Sequence, residues 1–426
     1  MVSHDIQHIM PGTLLPSHFS LHFSIRPNVI AFPKYQTTTS DHEKARSSIC
    51  LDANENSAGS CLVPVPRYEP CILSAPNHGT PQEPIGLKNL HRYPSASQAS
   101  LRRQVAQWRG LESYHSPLAP DQVGLGSGAS DVIDVIIRMT CTPGQDKILL
   151  SPPTFDLYKV CATLQGVEVE ECMQDIAQDG TFRIPVEQIC TALSEDDRIK
   201  VLLLASPGNP TGTLIPVDQI QRILDLEAFK GIVVIDEAYI DFAPIAEKAS
   251  AVQLLPRYNN LIVVQSLSKS HGLAGIRVGM AIAHPAIIEL FSKVQMPYKL
   301  SSVVLDLAER ALSKEGQACA IALQQQVMTQ RECLVKMLAD PLLASNGIGA
   351  TIGGQAANFV LIPILVGEER DDIRAKQLTQ QLRDRHGISI RYVGAQAGCR
   401  GCVRITVGTK DEMDALRKAL HTLLLE

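Results

Sequence analysis

Three apolar segments of this chain are each followed by polar residues that could do chemistry. Their order is 201–205 before Asn209, 231–235 before Asp236 and Tyr239, and 261–265 before Ser266, Ser268 and Lys269. Buried parallel strands are continuous apolar runs of about this length, and open parallel sheets bind ligands beyond the carboxyl ends of their strands. We therefore expect an amide, a carboxylate, a phenol, two hydroxyls and an amine along one sheet edge.

The segments around these strands alternate between helical and strand-like patterns. Helices are predicted over 99–110 and 133–139, and a short strand over 147–150. Such alternation favours a parallel sheet with helices on both faces. After about residue 300 the pattern changes to a long helical stretch over 302–339, followed by short strands. These strands are predicted at 358–364, 388–391 and 402–407.

The chain of 426 residues exceeds the size that one compact core usually holds. We predict that residues 1–90 form an N-terminal arm and part of a small domain, with a proline-rich insertion at about 64–86. Residues 91–300 are predicted to form a large domain, and residues 301–426 a small C-terminal domain. The two domains would share an active-site cleft.

The composition argues against several classes of protein. The 39 basic and 44 acidic residues give a net charge of -5 without long runs of one sign, so neither nucleic acid nor an anionic membrane is an expected partner. Hydrophobic residues make up 45% of the chain, yet no apolar run approaches the roughly 20 residues of a membrane helix. The first forty residues lack the features of a secretory signal, so we expect a cytoplasmic protein.

Eleven cysteines are scattered along the chain. Their odd number argues against a disulfide framework and for reduced thiols. Cys399 and Cys402 form one C-x-x-C pair, which makes a poor zinc site without a second pair or a nearby histidine. We interpret this pair as a structural turn and expect no metal site.

The motifs Asn209-Pro-Thr-Gly, Asp236-Glu-Ala-Tyr239 and Ser266-Leu-Ser-Lys269, with Arg277 eight positions later, resemble those of fold-type I pyridoxal-phosphate aminotransferases. Each motif alone is weak, since a Pro-Gly-Asn-Pro stretch is usually just a turn, but their order is specific. The resemblance implies an α/β fold with a large domain, whose mostly parallel seven-stranded sheet lies between helices, and a smaller α+β domain. It also implies pyridoxal 5'-phosphate as the cofactor.

The resemblance gives each of these residues a role. Lys269 would hold the cofactor as a Schiff base and, once displaced by the substrate amine, move a proton between the substrate and cofactor carbons. Asp236 would keep the pyridine nitrogen protonated, which makes the ring an electron sink. Asn209 and Tyr239 would hydrogen-bond the ring oxygen and lower the proton affinity of the Schiff base. Phe155 would stack on the ring, with an ordinary core position as the alternative.

The stretch Gly126-Ser-Gly-Ala129-Ser130 precedes a predicted helix, whose N-terminal amides could bind an anion. The resemblance implies that this anion is the cofactor phosphate. The residues that would bind it are Ala129, Ser130, Ser266, Ser268 and Arg277.

The same stretch also fits the dinucleotide fingerprint G-x-G-x-x-A, with Gly124 as its first glycine and Ala129 as its last position. We reject dinucleotide binding for two reasons. No clear apolar strand directly precedes Gly124, and the acid at about the right distance, Asp146, opens the next strand instead of closing it.

Five segments are similar, more narrowly, to histidinol-phosphate aminotransferases of fungal type. They are 51–56, 91–94, 232–239, 267–277 and 402–409. The similarity implies that Arg404 and Arg391 bind a substrate anion, because two guanidinium groups suit a phosphate dianion. Tyr35 and Asn54 would contact the substrate, with a surface or packing role as the alternative.

Tyr93 resembles the tyrosine that reaches the cofactor phosphate of the partner subunit, which implies a homodimer with shared active sites. The chain departs from the family pattern at three places. Ser130-Asp131 stands where Asp-Glu is common, Phe155 stands where tyrosine is common, and the proline-rich stretch at 64–86 has no counterpart that we can identify.

The leading hypothesis is a transaminase of histidine biosynthesis. It would transfer the amino group of glutamate to imidazole-acetol phosphate, giving histidinol phosphate and 2-oxoglutarate. One alternative is a related enzyme on the same scaffold, an aromatic aminotransferase or a phospho-amino-acid decarboxylase, because a fold alone does not fix the reaction. Another is a non-catalytic relative that binds a partner, although the presence of Lys269, Asp236 and Asn209 argues against it.

Overall fold

The computed structural model of the protein describes residues 49–62, 90–110 and 117–425. The predictions for Tyr35 and for the proline-rich stretch at 64–86 lie outside these residues. None of the described helices combines the length and apolar character that crossing a bilayer requires.

The described strands are short, and most of them belong to two sheets. They are β1 (Ile49–Leu51), β2 (Val123–Gly126), β3 (Lys147–Leu150), β4 (Glu168–Glu171), β5 (Asp175–Ile176), β6 (Phe182–Arg183), β7 (Ile199–Ala205), β8 (Ile232–Asp236), β9 (Leu261–Ser266), β10 (Gly279–Ala283), β11 (Phe359–Pro363), β12 (Leu365–Val366), β13 (Glu369–Arg370), β14 (Ile388–Tyr392) and β15 (Cys402–Thr406). The pairs β5/β6 and β12/β13 form two small antiparallel hairpins.

Helices alternate with these strands through most of the described chain. They are α1 (Ala99–Arg109), α2 (Ala129–Thr140), α3 (Leu157–Gln165), α4 (Val186–Glu195), α5 (Val217–Leu224), α6 (Ala246–Ala249), α7 (Pro285–Val294), α8 (Ser302–Ala311), α9 (Lys314–Leu338), α10 (Pro341–Ser345), α11 (Asp372–His386) and α12 (Lys410–Leu425). Short 3-10 turns lie at Pro120–Gln122, Ile240–Phe242, Ala251–Leu254 and Ala274–Ile276.

Seven strands form a central sheet in the order β2-β10-β9-β8-β7-β3-β4. All neighbouring pairs are parallel except the two that involve β10. Successive residues of β8 pack on opposite sides, since Val233 and Ile235 belong to one apolar core and Val234 to another. The sheet is therefore covered on both faces, as continuous apolar strands require. This architecture confirms the predicted α/β fold with a mostly parallel seven-stranded sheet.

A second sheet has the order β1-β14-β15-β11. Its first strand comes from the N-terminal part of the chain and pairs in parallel with β14, with Ile49 opposite Ile388. The other pairs are antiparallel. Leu51, Phe359 and Ile405 pack in a separate apolar core beneath this sheet. Residues from the two ends of the chain thus build one sheet, while the domain boundaries at 91 and 301 stay predictions.

The helical stretch predicted at 302–339 is interrupted. α8 ends at Ala311 and α9 begins at Lys314. Between them, the hydroxyl of Ser313 accepts a hydrogen bond from the backbone N–H of Gly316 at 3.1 Å. A serine that caps a new helix in this way ends the preceding one, so the prediction of a continuous stretch was wrong at this point.

Cys399 and Cys402 are both buried and form no disulfide. The backbone N–H of Cys402 donates to the carbonyl oxygen of Cys399 at 2.9 Å. The C-x-x-C pair therefore closes a tight turn that leads into β15.

Candidate active site

The ends of β7, β8 and β9 lie side by side at one edge of the central sheet. In the register of these strands, Ala205 lies opposite Asp236, and Asp236 lies opposite Val264. Asn209 and Lys269 follow their strands by only a few residues, so the parallel pairing carries both to the edge where Asp236 lies. The three motifs that are separate in the sequence thus share one location.

Lys269 is half-buried at this edge, and its Nζ donates to the carbonyl oxygen of Ala53 at 2.9 Å. Burial and the nearby charges of Arg404 and Arg277 lower the pKa of Lys269 to about 8, although Glu55 acts in the opposite direction. Burial disfavours the charged ammonium, and neighbouring cations add to that effect. The lowered pKa leaves more neutral, nucleophilic amine near neutral pH than an ordinary lysine has.

Asp236 is buried at the end of β8, with 5% of its surface exposed. Tyr158 donates its hydroxyl to Oδ2 at 2.7 Å, and the backbone N–H of Ala238 donates to Oδ1 at 3.1 Å. Burial raises the pKa of Asp236, while these two hydrogen bonds favour the carboxylate and act in the opposite direction. The carboxylate is thus held in place with both oxygens engaged.

Tyr158 is a residue that the sequence analysis missed. It is fully buried in α3, and its ring lies 5.7 Å from that of Phe155, edge to face. Burial and the adjacent Asp236 raise the pKa of Tyr158 well above its usual value, so the phenol stays protonated and remains a donor. Its position three residues after Phe155, just inside the start of α3, was the only signal in the sequence.

Tyr239 is buried beyond β8, and its hydroxyl oxygen accepts a hydrogen bond from Nδ2 of Asn54 at 3.0 Å. Its ring packs edge to face on Phe359 with centroids 5.3 Å apart. Asn54 is also buried, and Thr406 of β15 donates its hydroxyl to Oδ1 of Asn54 at 3.2 Å. A single amide therefore connects the central sheet edge with the second sheet.

Arg404 of β15 reaches the same region from the second sheet. Its Nη1 donates to Oδ1 of Asn209 at 2.6 Å, and its Nη2 donates to the carbonyl oxygen of Asp52 at 2.6 Å. Arg391 of β14 is the Cα partner of Arg404 in the antiparallel pairing. Directly opposite residues project from the same face of a sheet, so the side chains of Arg391 and Arg404 leave the second sheet on the same face.

Residues 52–56 connect the elements of this site. The carbonyls of Asp52 and Ala53 and the amide of Asn54 make the hydrogen bonds described above. The carbonyl oxygen of Glu55 accepts from Nδ2 of Asn358 at 3.3 Å. Asn56 donates its Nδ2 to the carbonyl oxygen of Lys269 at 3.1 Å. Apart from Glu55, each residue of this segment thus bonds to a strand or loop that carries a predicted site residue.

The glycine-rich turn lies between β2 and α2. Gly128 has a φ of 84°, and a Cβ built on it would lie 2.3 Å from Nη2 of Arg277. Arg277, itself left-handed at φ 56°, therefore lies directly against the turn where Ala129 and Ser130 begin α2. The N-terminal amides of a helix beside a guanidinium form an anion site.

Two serines lie at the end of β9, one strand away from this turn. Ser266 is opposite Gly279 of β10, and Gly279 is in turn opposite Gly126 of β2. Ser266 donates its hydroxyl to Ser268 Oγ at 2.8 Å.

The sequence indicated no clear apolar strand before Gly124, but a strand, β2, occupies Val123–Gly126. It contains the first two glycines of the G-x-G-x-x-A pattern and pairs antiparallel with β10, so the βαβ context that the dinucleotide fingerprint requires is still missing.

Phe155 and Tyr93 differ in their placement. Phe155 is half-buried and touches Tyr158 at the Asp236 end of the site. Tyr93 is 79% exposed and stacks on Tyr298, with ring centroids 4.5 Å apart. Within this chain Tyr93 therefore projects to the surface.

The family model for aminotransferase class I and II matches residues 85–420. The chain is 35% identical to histidinol-phosphate aminotransferase of Schizosaccharomyces pombe over 412 residues, 96% of this chain and 98% of that one. It is also 35% identical to the enzyme of the same name from Saccharomyces cerevisiae over 406 residues, 94% of this chain and 96% of that one.

Solved structures show the same fold at lower identity. Histidinol-phosphate aminotransferase from Sinorhizobium meliloti, in complex with pyridoxal-5'-phosphate, matches with a TM-score of 0.77 at 22% identity. The match covers 96% of this chain and 99% of that protein's chain. Aspartate aminotransferase from Thermotoga maritima has a TM-score of 0.72 at 18% identity, over 94% of this chain and 100% of its own. The chain belongs to the class I and II aminotransferase family and, within it, to the histidinol-phosphate aminotransferases.

Proposed function

We propose that this chain is a pyridoxal-phosphate-dependent transaminase of histidine biosynthesis, which transfers the amino group between glutamate and imidazole-acetol phosphate. Its products would be histidinol phosphate and 2-oxoglutarate. The proposal rests on one observation, the convergence of Lys269, Asp236 and Tyr239 at a sheet edge that Arg404 reaches from the second sheet. The similarity over nearly the whole chain to two fungal histidinol-phosphate aminotransferases supports the substrate.

The residues present fit pyridoxal 5'-phosphate. The α2 amides at Ala129 and Ser130, the Arg277 guanidinium and the hydroxyls of Ser266 and Ser268 form a donor set suited to a phosphate dianion. Asp236 provides a buried carboxylate and Lys269 a partly neutral amine. When bound, the cofactor supplies an electron sink for charge that develops on the substrate carbon.

We assign the following work to the residues of the chain. Lys269, whose amine has a pKa of about 8, would hold the cofactor and, once released, would move a proton between carbon atoms. Asp236 would keep a proton on the ring nitrogen through its carboxylate. Asn209 and Tyr239 would donate to the ring oxygen, and Phe155 would cover the ring face.

Arg404 and Arg391 bind the substrate anion in this proposal. The phosphate of histidinol phosphate and the side-chain carboxylate of glutamate would use the same pair in the two half-reactions, since paired guanidinium groups can bind either anion by bidentate hydrogen bonds. Tyr35 and Asn54 stay predicted substrate neighbours.

A two-part experiment tests this function. Borohydride treatment of the cofactor-loaded protein and peptide mapping should leave the reduced adduct on Lys269, and an adduct elsewhere, or none, would contradict the proposal. In the spectrophotometric half-reaction, Arg391→Ala and Arg404→Ala should each lower kcat/KM for histidinol phosphate by at least tenfold. Measuring carbon dioxide alongside 2-oxoglutarate separates transamination from decarboxylation.

We further propose a cytoplasmic homodimer with shared active sites. Tyr93 and Met296 are 79% and 74% exposed, with Leu90 at 55% and Tyr298 at 44%. Exposed apolar side chains in such numbers mark a surface that a partner covers. Tyr93 would then reach the cofactor phosphate of the partner subunit.

Mixing two inactive variants tests the shared site. Lys269→Ala and Tyr93→Ala chains, unfolded together and refolded, should form mixed dimers in which one site has both residues intact. Half the dimers would be mixed and half their sites intact, so activity should return to about a quarter of the wild-type value. No recovery, with mixed dimers present, would show that Tyr93 serves its own chain.

A further inference from the structure

Lys269 is followed by two fully buried residues, Ser270 and His271. The Oγ of Ser270 lies 2.9 Å from Nδ1 of His271. The backbone of the same turn is also bound. The carbonyl oxygen of Lys269 accepts from Nδ2 of Asn56 at 3.1 Å, and that of His271 accepts from the backbone N–H of Cys61 at 3.1 Å. The turn that carries the reactive amine is therefore held through both its backbone and its side chains.

A buried ion pair between Arg109 and Asp241 lies next to Ser270. Nη1 and Nη2 of Arg109 donate to the two carboxylate oxygens of Asp241 at 2.8 and 3.0 Å, and the two side chains are only 13% and 10% exposed. Burial raises the pKa of Asp241, but the charge of Arg109 and a hydrogen bond from Ser270 act in the opposite direction, and the pKa is lowered. The ion pair thus connects the last residue of α1 with the residue that follows Lys269.

The hydrogen bonds of this cluster run in one direction. The Asp241 carboxylate can only accept, and Ser270 has a single hydroxyl proton. Because Ser270 donates that proton to Asp241, its oxygen accepts from Nδ1–H of His271. The network therefore assigns the tautomer of His271. Burial lowers the pKa of His271 to about 4, so the ring is neutral near neutral pH.

The cluster is an expensive way to stabilise a fold. Among the described residues, Nε of Arg109 and Nε2 of His271 are buried and have no hydrogen-bond partner. A buried ion pair is also a poor source of stability, because the loss of hydration offsets its attraction. Its two parallel hydrogen bonds, however, fix the geometry of both partners. What the pair provides is a defined position for the groups bound to it.

We propose that Arg109 is a positioning residue, which acts through Asp241 and Ser270 to hold Lys269 where its amine can move a proton between carbon atoms. This inference rests on the proposed function. The proton transfer needs an amine within hydrogen-bond reach of the carbon atoms, and a misplacement of about 1 Å can lower a rate by about a hundredfold. The phosphate donors around α2 are a separate group, so rate should respond more than cofactor affinity.

Arg109→Lys is the decisive variant, because lysine keeps the charge but cannot bind both carboxylate oxygens as a planar fork. In the half-reaction of the cofactor-loaded protein with histidinol phosphate, the rate constant should fall by about tenfold, with cofactor affinity changed by less than about threefold. A wild-type rate, or equal losses of rate and affinity, would overturn the proposal. Arg222→Lys makes the same change in a surface pair with Glu187, where the side chains are 57% and 77% exposed, and should leave both quantities unchanged.

Added ethylamine separates the positioning of Lys269 from a general structural role. In Lys269→Ala protein, ethylamine from solution can carry the proton between the carbon atoms, and it is not attached to the turn. Arg109→Lys should lower this ethylamine-dependent rate by less than about twofold. A tenfold loss in this background as well would show that Arg109 acts on something other than Lys269, and would refute the positioning role.

Ser270→Ala tests the same connection with the ion pair in place. The half-reaction rate should fall by roughly fivefold. Combining this change with Arg109→Lys should lower the rate by less than the product of the two single losses, because both act through one chain of contacts. A full product would contradict that chain. If borohydride leaves no adduct on Lys269, the proposed function fails; if the adduct forms and neither variant slows the half-reaction, only this inference fails.

Discussion

The hydrogen bond between Tyr158 and Asp236 is buried at the sheet edge. We predict that Tyr158→Phe lowers kcat by roughly tenfold and changes cofactor affinity by less than about threefold. Without the phenol, the carboxylate loses one of the two donors that oppose its desolvation, so the pKa of Asp236 rises further and the shared proton would move from the ring nitrogen toward the carboxylate. Half-reaction rates and cofactor titration measure the two quantities.

Tyr258→Phe is the matched control for this prediction. Tyr258 also donates to a carboxylate, Asp225, but at the protein surface. The Tyr258→Phe substitution should leave both kcat and cofactor affinity unchanged. Equal losses in the two variants, or a Tyr158→Phe protein with wild-type kcat, would contradict the role of Tyr158.

For single residues, the sequence indicated a place at the sheet edge where neighbouring residues share one motif. Asn209, Asp236 and Lys269 could be recognised because each follows an apolar run within a few positions. The partner of Asp236 could not, because Tyr158 lies 78 positions away and nothing in the sequence fixes that distance in space. The side-by-side placement of Arg391 and Arg404 likewise depends on strand register.

Among the elements, the start of α2 combines backbone strain with a tight contact. Gly128→Ala should weaken cofactor binding by at least about thirtyfold, because its new Cβ would displace the Arg277 guanidinium 2.3 Å away. Equilibrium titration of cofactor-free protein measures the change. A loss of stability alone, with cofactor affinity retained, would contradict the assignment of this turn.

Gly144→Ala controls for strain. Gly144 has a similar φ of 72°, yet a Cβ there meets no atom within 4 Å. The Gly144→Ala substitution should lower the free energy of unfolding by about 1 kcal/mol, because alanine is strained in the left-handed conformation. It should leave the cofactor affinity intact.

Most elements could be predicted because their signals are local. The predicted strand at 147–150 is β3 as observed, and 99–110 differs from α1 by one residue. The break at Ser313 was missed because the apolar pattern continues through it, and only the cap distinguishes two helices from one. The pairing of β1 with β14 joins residues at opposite ends of the chain, which no local pattern encodes.

For the molecule as a whole, stability should depend on pH through Glu237. Burial raises the pKa of Glu237 to about 7, although Ser250, Gln265 and the backbone of Ala251 donate to it. Between pH 4.5 and 7 the folded state therefore holds a proton that the unfolded state has released. The contribution of Glu237 to the free energy of unfolding is complete below pH 4.5 and is lost as the pH rises through 7.

Glu237→Gln removes this titration. Relative to wild type, the variant should gain roughly 1–3 kcal/mol of unfolding free energy on going from pH 4.5 to pH 8, measured by urea unfolding of cofactor-free protein. Glu289→Gln, at an exposed helix position, should give the same difference from wild type at both pH values. Parallel pH curves for wild type and Glu237→Gln would show that Glu237 does not control this dependence.

The contacts of residues 52–56 have a consequence for synthesis on the ribosome. This segment emerges early, but two of its partners, Arg404 and Thr406, belong to the penultimate element of the chain. The central sheet can assemble once β10 has been translated, whereas the Asn54 amide acquires its orientation only after β15 has left the exit tunnel. A nascent chain can therefore be largely folded and still chemically incompetent until its final few dozen residues arrive.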